Sequence, residues 1–297
     1  MAKDDKKEPD FVFPVSKNPE DAVYFYKDVD AALQPQSREM LLKYTGVPSD
    51  QLISHIKEAQ SRAFKVAPYS SVGSMTWLNP FIVLHFAYSK ALEKVKNGGS
   101  ILDCACMIAQ DLRQLAFDGA PTDKMYGFDF EPEFFNIGYD FFQDRATFRG
   151  SFLEVDATKD FSETELRDLS GKVDVIWCAK FIHLYDWDDQ IEMASKLVRL
   201  LKPQPGSLFL GSQNGFPGGR SMSLKGSGMK VSKSNMGFLN DVDHLKEIWE
   251  EVGKRTGLDF DVEVTLLDLR TIGWHKDSGS DYHKTIGYNL QYLITMK

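Results

Sequence analysis

The chain has 297 residues, 42% of them hydrophobic and 12% aromatic, enough to bury a large core. Its 35 Lys and Arg against 43 Asp and Glu leave a net charge of −8, which argues against a nucleic-acid partner, because neutralising phosphates needs a basic surface. No run approaches the ~18 consecutive apolar residues of a membrane span, and the charged opening MAKDDKKEPD lacks the apolar centre of a signal peptide.

Residues 1–17 read as a flexible tail. Residues 18–97 look helical and hold no strand-like run. Ser49 precedes Leu52, Ile53, Ile56, Ala59 and Ala63, a one-faced helix with Ser49 as N-cap. The turn-rich, aromatic VAPYSSVGSMTWLNP follows. A further helix near 80–96 then ends at the stop signal Asn97-Gly98-Gly99.

From residue 98 the texture changes to strand alternating with helix. SILDCAC is a short buried strand, and Gln110–Phe117 a helix. KMYGFDF is a second strand, after which Pro132 starts a helix. RGSFLEVDA is a third, and Ser162-x-x-Glu165 is a capping box opening the next helix. KVDVIWCAKF, nearly all apolar, is a central strand covered on both faces. The helix after it carries Ile191, Ala194, Leu197, Val198 and Leu201 on one side and stops at Pro203. GSLFLGSQ is the fifth strand. NGFPGGRSMSLKGSGMKVSKSNMG, over 214–237, reads as a long surface loop. A helix at DVDHLKEIWEEVGKRTG precedes two β-rich stretches with no helix between them, DFDVEVTLLDL and YNLQYLITMK, which must pair antiparallel or close an edge.

Five strands with intervening helices make a doubly wound, mostly parallel α/β sheet. Ligands of such sheets bind beyond the carboxyl ends of the strands, so the strand-end residues are the ones that matter. Asp103 heads the spacing D-x-G-x-G-x-G, yet 105, 107 and 109 hold Ala, Met and Ala. The second strand ends in Asp129-Phe130, placed to accept both hydroxyls of a ribose, although the spacing exceeds the usual ~20 residues. The third ends in Asp156-Ala157, where the acid suits an exocyclic amine of a purine. Each acid has a plainer use as the cap of the following helix. With no lysine in the first loop, the acidic ring suits a cationic or neutral ligand rather than a pyrophosphate.

The fourth strand ends in Ala179–His183. His183 is a candidate general base for a hydroxyl acceptor, or a backbone-bonded helix-start histidine. Lys180 holds an acidic substrate or polarises a carbonyl, or else snorkels to the surface. Tyr69, Trp77, Phe181, Trp187 and Trp274 are candidate walls of an apolar pocket, or core. Three cysteines, Cys104, Cys106 and Cys178, are too few and too odd for a disulfide framework, which fits a reducing, cytoplasmic setting. Cys104-x-Cys106 finds no second ligand pair, so the two read as packing residues and no metal is expected.

The runs AQDLRQLAFDGAP (109–121), YGFDFEPEFFNIGYDFF (126–142), HLYDWDDQ (183–190), LVRLLKPQPGSLFLG (197–211) and LKEIWEEVGKRTG (245–257) resemble class I S-adenosylmethionine-dependent methyltransferases. More narrowly, they resemble the fungal meroterpenoid-type enzymes that esterify or etherify polyketide–terpenoid intermediates. The resemblance implies a seven-stranded sheet whose last strands are antiparallel. Residues 18–97 would form an N-terminal helical lid over the cofactor and 98–297 the methyltransferase domain. By carry-over, Asp103 and 105–110, with Ala105, Ala109 and Gln110, lie along the methionine part; Asp129 and Phe130 hold the ribose; Asp156 and Ala157 hold the adenine; and Ala179 lines the crevice. The implied partner is an apolar small molecule, with a homodimer left open. The family has glycine where this chain has Ala105 and Ala109. If those positions need positive φ, each alanine costs roughly 1–2 kcal/mol, and the pair, uncompensated, would weaken binding roughly 30- to 1000-fold; if the backbone is ordinary there, the methyls cost only closeness of approach. The altered loop and Lys180 also leave open a cyclase or pericyclase that folds a polyene in the aromatic pocket and polarises it with Lys180 or His183, its cofactor site modified or vestigial.

Overall fold

The computed structural model describes residues 11–12, 16–225, 234–268 and 288–297. Trp274 lies outside the described residues. Seven strands form the central sheet: β1 (Ile101–Cys104), β2 (Met125–Asp129), β3 (Ser151–Glu154), β4 (Val175–Ala179), β5 (Leu208–Gly215), β6 (Phe260–Asp268) and β7 (Tyr288–Met296). Their order is β3-β2-β1-β4-β5-β7-β6. The first five are parallel, and β7 runs antiparallel to both β5 and β6. The chain winds outward from β1 to β3 and restarts on the other side at β4. A crevice therefore opens between the carboxyl ends of β1 and β4, the switch point of the sheet.

Strand alternation builds two cores from the same residues. Leu102, Cys104, Ile176 and Cys178 face one side, against α6 (Trp187–Val198) and α7 (Val242–Thr256). Ile101, Val175 and Trp177 face the other, against α3 (Tyr88–Lys96) and α4 (Gln110–Phe117). Cys104 and Cys106 fall in these opposite cores, so the pair packs and does not converge. A third core joins the N-terminal lead to the domain. Leu41 of α1 (Pro35–Thr45) and Leu52, Ile56 and Phe64 of α2 (Leu52–Val66) pack with Ile108 and with Phe134, Ile137 and Phe141 of α5 (Glu133–Phe142). The lead is thus seated on α5 and on the loop that follows β1. No described helix is long and apolar enough to cross a membrane.

Several local expectations are corrected, each by hydrogen bonds that the sequence pattern does not display. Residues 80–87 are not α-helical. Asp111 on α4 takes the Ile82 N–H at 2.9 Å, Gln291 on β7 takes Phe86 N–H at 3.2 Å, and His85 Nδ1 takes Ala87 N–H at 3.1 Å. With these donors claimed, only a 3₁₀ turn forms at Ile82–Leu84, and α3 begins at Tyr88. Ser49 does not cap α2; Gln51 precedes it without a side-chain cap. The capping box at Ser162 is replaced by Asp160, whose Oδ1 accepts from Ser162 N–H and Oγ at 2.8 Å each, and by Thr164. The result is two 3₁₀ turns rather than one α-helix. Helix α6 ends at Val198, short of Pro203. The 214–237 stretch is not all loop: Arg220–Ser223 pairs antiparallel with Met236–Leu239, and Met222, Leu224 and Leu239 are buried against the α6–α7 side. Of the tail expected over 1–17, Phe11 and Val12 pair in parallel with Met222 and Ser223.

Candidate active site

Three carboxyl groups meet on the β1 side of the crevice. Asp103 is 2% exposed, and its Oδ2 is buried without a hydrogen-bond partner. Burial, with Asp111 and Asp129 nearby, pushes its carboxyl well above the usual range. Asp111 is held up to about 6 by burial against the pull of its backbone donors. Asp129, at the end of β2, accepts from Met107 N–H at 2.8 Å and Glu131 N–H at 3.1 Å, and burial still raises it to about 6. Phe130 N–H is a third backbone donor, which leaves about one of the carboxylate's four lone-pair sites for a further donor. Gln110, first residue of α4, adds a buried Oε1 with no partner. Orphaned acceptors and carboxyls raised chiefly by burial fit a ligand that brings donor groups and positive charge, since a cation alongside restores each carboxylate's ionisation.

The loop from β1 to α4 is where the missing glycines fall. Ala105, Met107 and Ala109 all have positive φ, at 52°, 51° and 54°. The backbone keeps the shape that the D-x-G-x-G-x-G spacing demands, without one glycine. Cys106 N–H donates to Phe128 carbonyl, and Ala109 N–H to Cys106 carbonyl. The condition for strained alanines at 105 and 109 is therefore met, and the surrounding hydrogen bonds are what hold the turns in place of glycine.

Across the crevice, Lys180 follows β4 with φ 53°, a fourth left-handed residue that is not glycine. Its N–H donates to Ser212 carbonyl, and its half-buried Nζ reaches Asn214 Oδ1 at 2.8 Å, 4.7 Å from the Phe81 ring centre. Burial lowers it to about 7. An ammonium can only donate, so Asn214 must present Oδ1 to Lys180 and Nδ2 to His183 Nε2, at 3.4 Å. The ring proton of His183 therefore sits on Nδ1, which is buried and unpartnered. His183 is 3% exposed, and burial with Lys180 nearby lowers it to about 3. It lies deeper than an acceptor-facing base would.

Of the four described aromatic candidates, Tyr69 and Trp77 belong to the core beneath the lead and Phe181 and Trp187 to the core on the α6–α7 side. Tyr69 stands near Asp129 and Glu131 on the cofactor side, where burial and those charges raise its hydroxyl. Trp77 is 3% exposed, donates to Val72 carbonyl and packs edge-on against Phe141, inside the core beneath the lead. Phe181 packs edge-on against Phe128 and Tyr185. Trp187 meets Phe238 and His244, beside the short strand pair. Asp156 Oδ1 caps its own turn, accepting from Thr158 N–H and Oγ1. Ala157 carbonyl accepts from Lys196 at 2.7 Å. Phe130 N–H adds to the donors around Asp129, and Ala179 ends β4 beside Ser212.

Sequence reasoning missed Phe81, Asp111 and Asn214. The first two were hidden inside segments read as continuous helices. The third had a signal: Ser-Gln-Asn ends an otherwise apolar strand at the ligand edge of the sheet.

Comparison with known proteins fits this geometry. A family profile described as the meroterpenoid methyltransferase N-terminal domain matches residues 24–78, and one described as a methyltransferase domain matches 101–204. The chain is 31% identical over 281 residues to the O-methyltransferase phiE of Fungal sp. (strain ATCC 74256), covering 92% of this chain and 91% of that protein. It is 32% identical over 229 residues to the asnovolin E/chermesin D methyltransferase nvfJ of Aspergillus novofumigatus, covering 76% and 79%. Among solved structures, phosphoethanolamine N-methyltransferase 2 of Haemonchus contortus, in complex with S-adenosyl-L-methionine, shares the fold at TM-score 0.50 and 18% identity, over 85% of this chain and 60% of that one.

Proposed function

The chain belongs to the fungal meroterpenoid methyltransferases, S-adenosylmethionine-dependent enzymes of secondary metabolism, and from that premise we propose that it methylates a carboxylate of a largely apolar polyketide or terpenoid intermediate, held by Lys180. The observation that carries this reading is the cation at the mouth of β4, with Nζ between the Asn214 amide and the Phe81 ring.

Bound S-adenosylmethionine supplies an electrophilic methyl on a sulfonium. Asp129 would accept the ribose hydroxyls, with Tyr69 beside it. Asp103, Gln110 and the backbone of 105–109 would hold the methionine part, and Asp156 and Ala157 the adenine side. The helical lead (18–97) acts as the cover and 98–297 as the catalytic domain, in a cytoplasmic setting that suits three unoxidised buried cysteines.

Methyl transfer from a sulfonium is an in-line displacement, so the protein's work is alignment. A carboxylate, with a pKa near ~4, is ionised already and needs no base. What it needs is a fixed partner for one oxygen, leaving the other free to attack. Lys180 supplies that partner: its φ of 53° turns the side chain toward Asn214 and Phe81. An arriving carboxylate raises the lysine from about 7 and so keeps it charged. A hydroxyl acceptor is the second reading, favoured by the same lowered lysine, which as a neutral amine would take the proton. His183 serves neither as base nor as anchor; it supports Asn214. The cyclase alternative drew on the missing glycines and on Lys180; relatives named as methyltransferases over most of the chain support methyl transfer over it.

The test is mass spectrometry of product with candidate acids and S-adenosylmethionine, followed by mild alkali. Gain of one methyl that alkali releases supports the carboxylate reading; an alkali-stable methyl supports the hydroxyl. No binding of S-adenosylhomocysteine at millimolar ligand, or a product of unchanged mass, overturns methyl transfer.

A further inference from the structure

Arg113, on α4, is 0% exposed. Its Nε and Nη2 meet the two oxygens of Asp144 at 2.9 and 3.1 Å, and Phe142 and Phe148 flank the guanidinium at 4.8 Å. A buried ion pair gives little net stability over apolar packing, so its use lies in what it holds. The third arm, Nη1, donates to Ile108 carbonyl at 2.8 Å. Helix α5 crowds the same oxygen: a Cβ on Gly138 would stand 2.7 Å from it. Rotating the 108–109 peptide plane is the motion that would carry Ala109 out of its left-handed φ, and the carbonyl of that plane is gripped from both sides.

We propose that Arg113 is a positioning residue for cofactor binding: its hold on Ile108 carbonyl fixes the peptide plane that keeps Ala109 left-handed, replacing the freedom a glycine would give. The fork also reports on the lead. Tyr44 of α1 donates to Asp144 Oδ2 at 3.0 Å, so the carboxylate that anchors Arg113 is shared with the cover. The inference rests on the cofactor reading above.

Arg113→Lys keeps the charge near Asp144 but cannot span both Asp144 and Ile108. Two measurements on the full chain test it: calorimetry with S-adenosylhomocysteine, and amide hydrogen exchange of residues 106–110 without ligand. In Arg113→Lys, affinity falls roughly tenfold and exchange quickens by a similar factor, the worth of one lost buried charge-assisted bond. Adding Ala109→Gly restores affinity to within about threefold of wild type. A folded Arg113→Lys protein that binds and exchanges like wild type overturns the proposal, and so does a double variant as weak as the single. Should Arg113→Lys fail to fold, Tyr44→Phe removes only one donor from Asp144; exchange at 106–110 then quickens roughly two- to fivefold with the melting temperature unchanged, and unaltered exchange overturns the proposal. A wild type that does not bind S-adenosylhomocysteine counts against the cofactor reading alone, because the exchange arm needs no ligand.

Discussion

The two lips of the crevice use the same unusual backbone for different ends. On the β1 side, Ala105, Met107 and Ala109 sit at positive φ with small or apolar side chains, and the surroundings hold the main chain: Asp129 on Met107 N–H, Arg113 on Ile108 carbonyl. On the β4 side, Lys180 sits at positive φ alone, and there the turn aims a side chain at Asn214. Left-handed residues other than glycine are strained, and they persist where the structure over-determines them. The comparison separates strain that shapes a cradle from strain that points a functional group.

The largest effect that would test this contrast is on the cradle. Asp129→Ala strands three backbone donors, Met107, Phe130 and Glu131, and removes the proposed acceptor of the ribose. S-adenosylhomocysteine affinity by calorimetry should fall roughly 100- to 1000-fold, about 3–4 kcal/mol. A loss under tenfold would mean that the β1 side is not the cradle.

Next is the aimed group. Lys180→Met should lower kcat/KM for the acid acceptor roughly 10- to 100-fold, the worth of a charge-assisted bond, and leave cofactor affinity within about threefold. Lys180→Gly should lose as much activity yet melt higher, since glycine relieves roughly 1 kcal/mol of left-handed strain. If the glycine variant melts lower than the methionine one, the turn at 180 is not strained, and the comparison fails on that side.

What the sequence made legible follows the same division. The alternation of strand with helix and the strand-end acids were readable because each is a periodic pattern or a residue at a fixed offset, whereas the seven-strand order and the antiparallel last strands came from the family resemblance. Residues 80–87 were not, because Asp111 and Gln291 reach them from distant elements. The missing glycines were visible as letters, but their consequence was not: a positive φ at alanine depends on Arg113, Gly138 and Asp129 standing where only the folded chain puts them. His183 left two readings open, a base or a structural histidine, and its burial and its contact with Asn214 were invisible in the sequence.

The pH dependence sharpens the β4 side. Lys180 is lowered from 10.5 to about 7, so the folded protein gives up a proton there that the unfolded chain keeps up to 10.5. That contribution therefore destabilises most at and below pH 7, and stability rises with pH between about 7 and 10.5. Lys180→Met should flatten the slope in denaturant titrations. If the acceptor is a carboxylate, kcat/KM falls by roughly tenfold per unit above about pH 7; if it is a hydroxyl, it climbs to a plateau there. His183, at about 3, contributes no limb between pH 5 and 8. A limb near 6.5 that vanished in His183→Gln would restore the histidine as base.

The smallest effect is the one the sequence made look largest. Glycine at 105 and 109 removes left-handed strain of roughly 1–2 kcal/mol each, and part of that gain is returned because glycine also loosens the unfolded chain, by about 0.4–1 kcal/mol. The double variant should therefore gain about 1–2 kcal/mol, a rise of a few degrees in melting temperature for a chain of this size. Cofactor affinity should change by less than about threefold, because the loop already holds its bound-like turns and no ordering remains to be done on binding. A tenfold gain in affinity would mean that the alanines push against the ligand directly, through their methyls, and that the cradle is narrower than its hydrogen bonds imply. Stability is then the deciding coordinate: strain relieved in the free protein moves the melting temperature and spares the affinity, whereas a steric clash with ligand does the opposite.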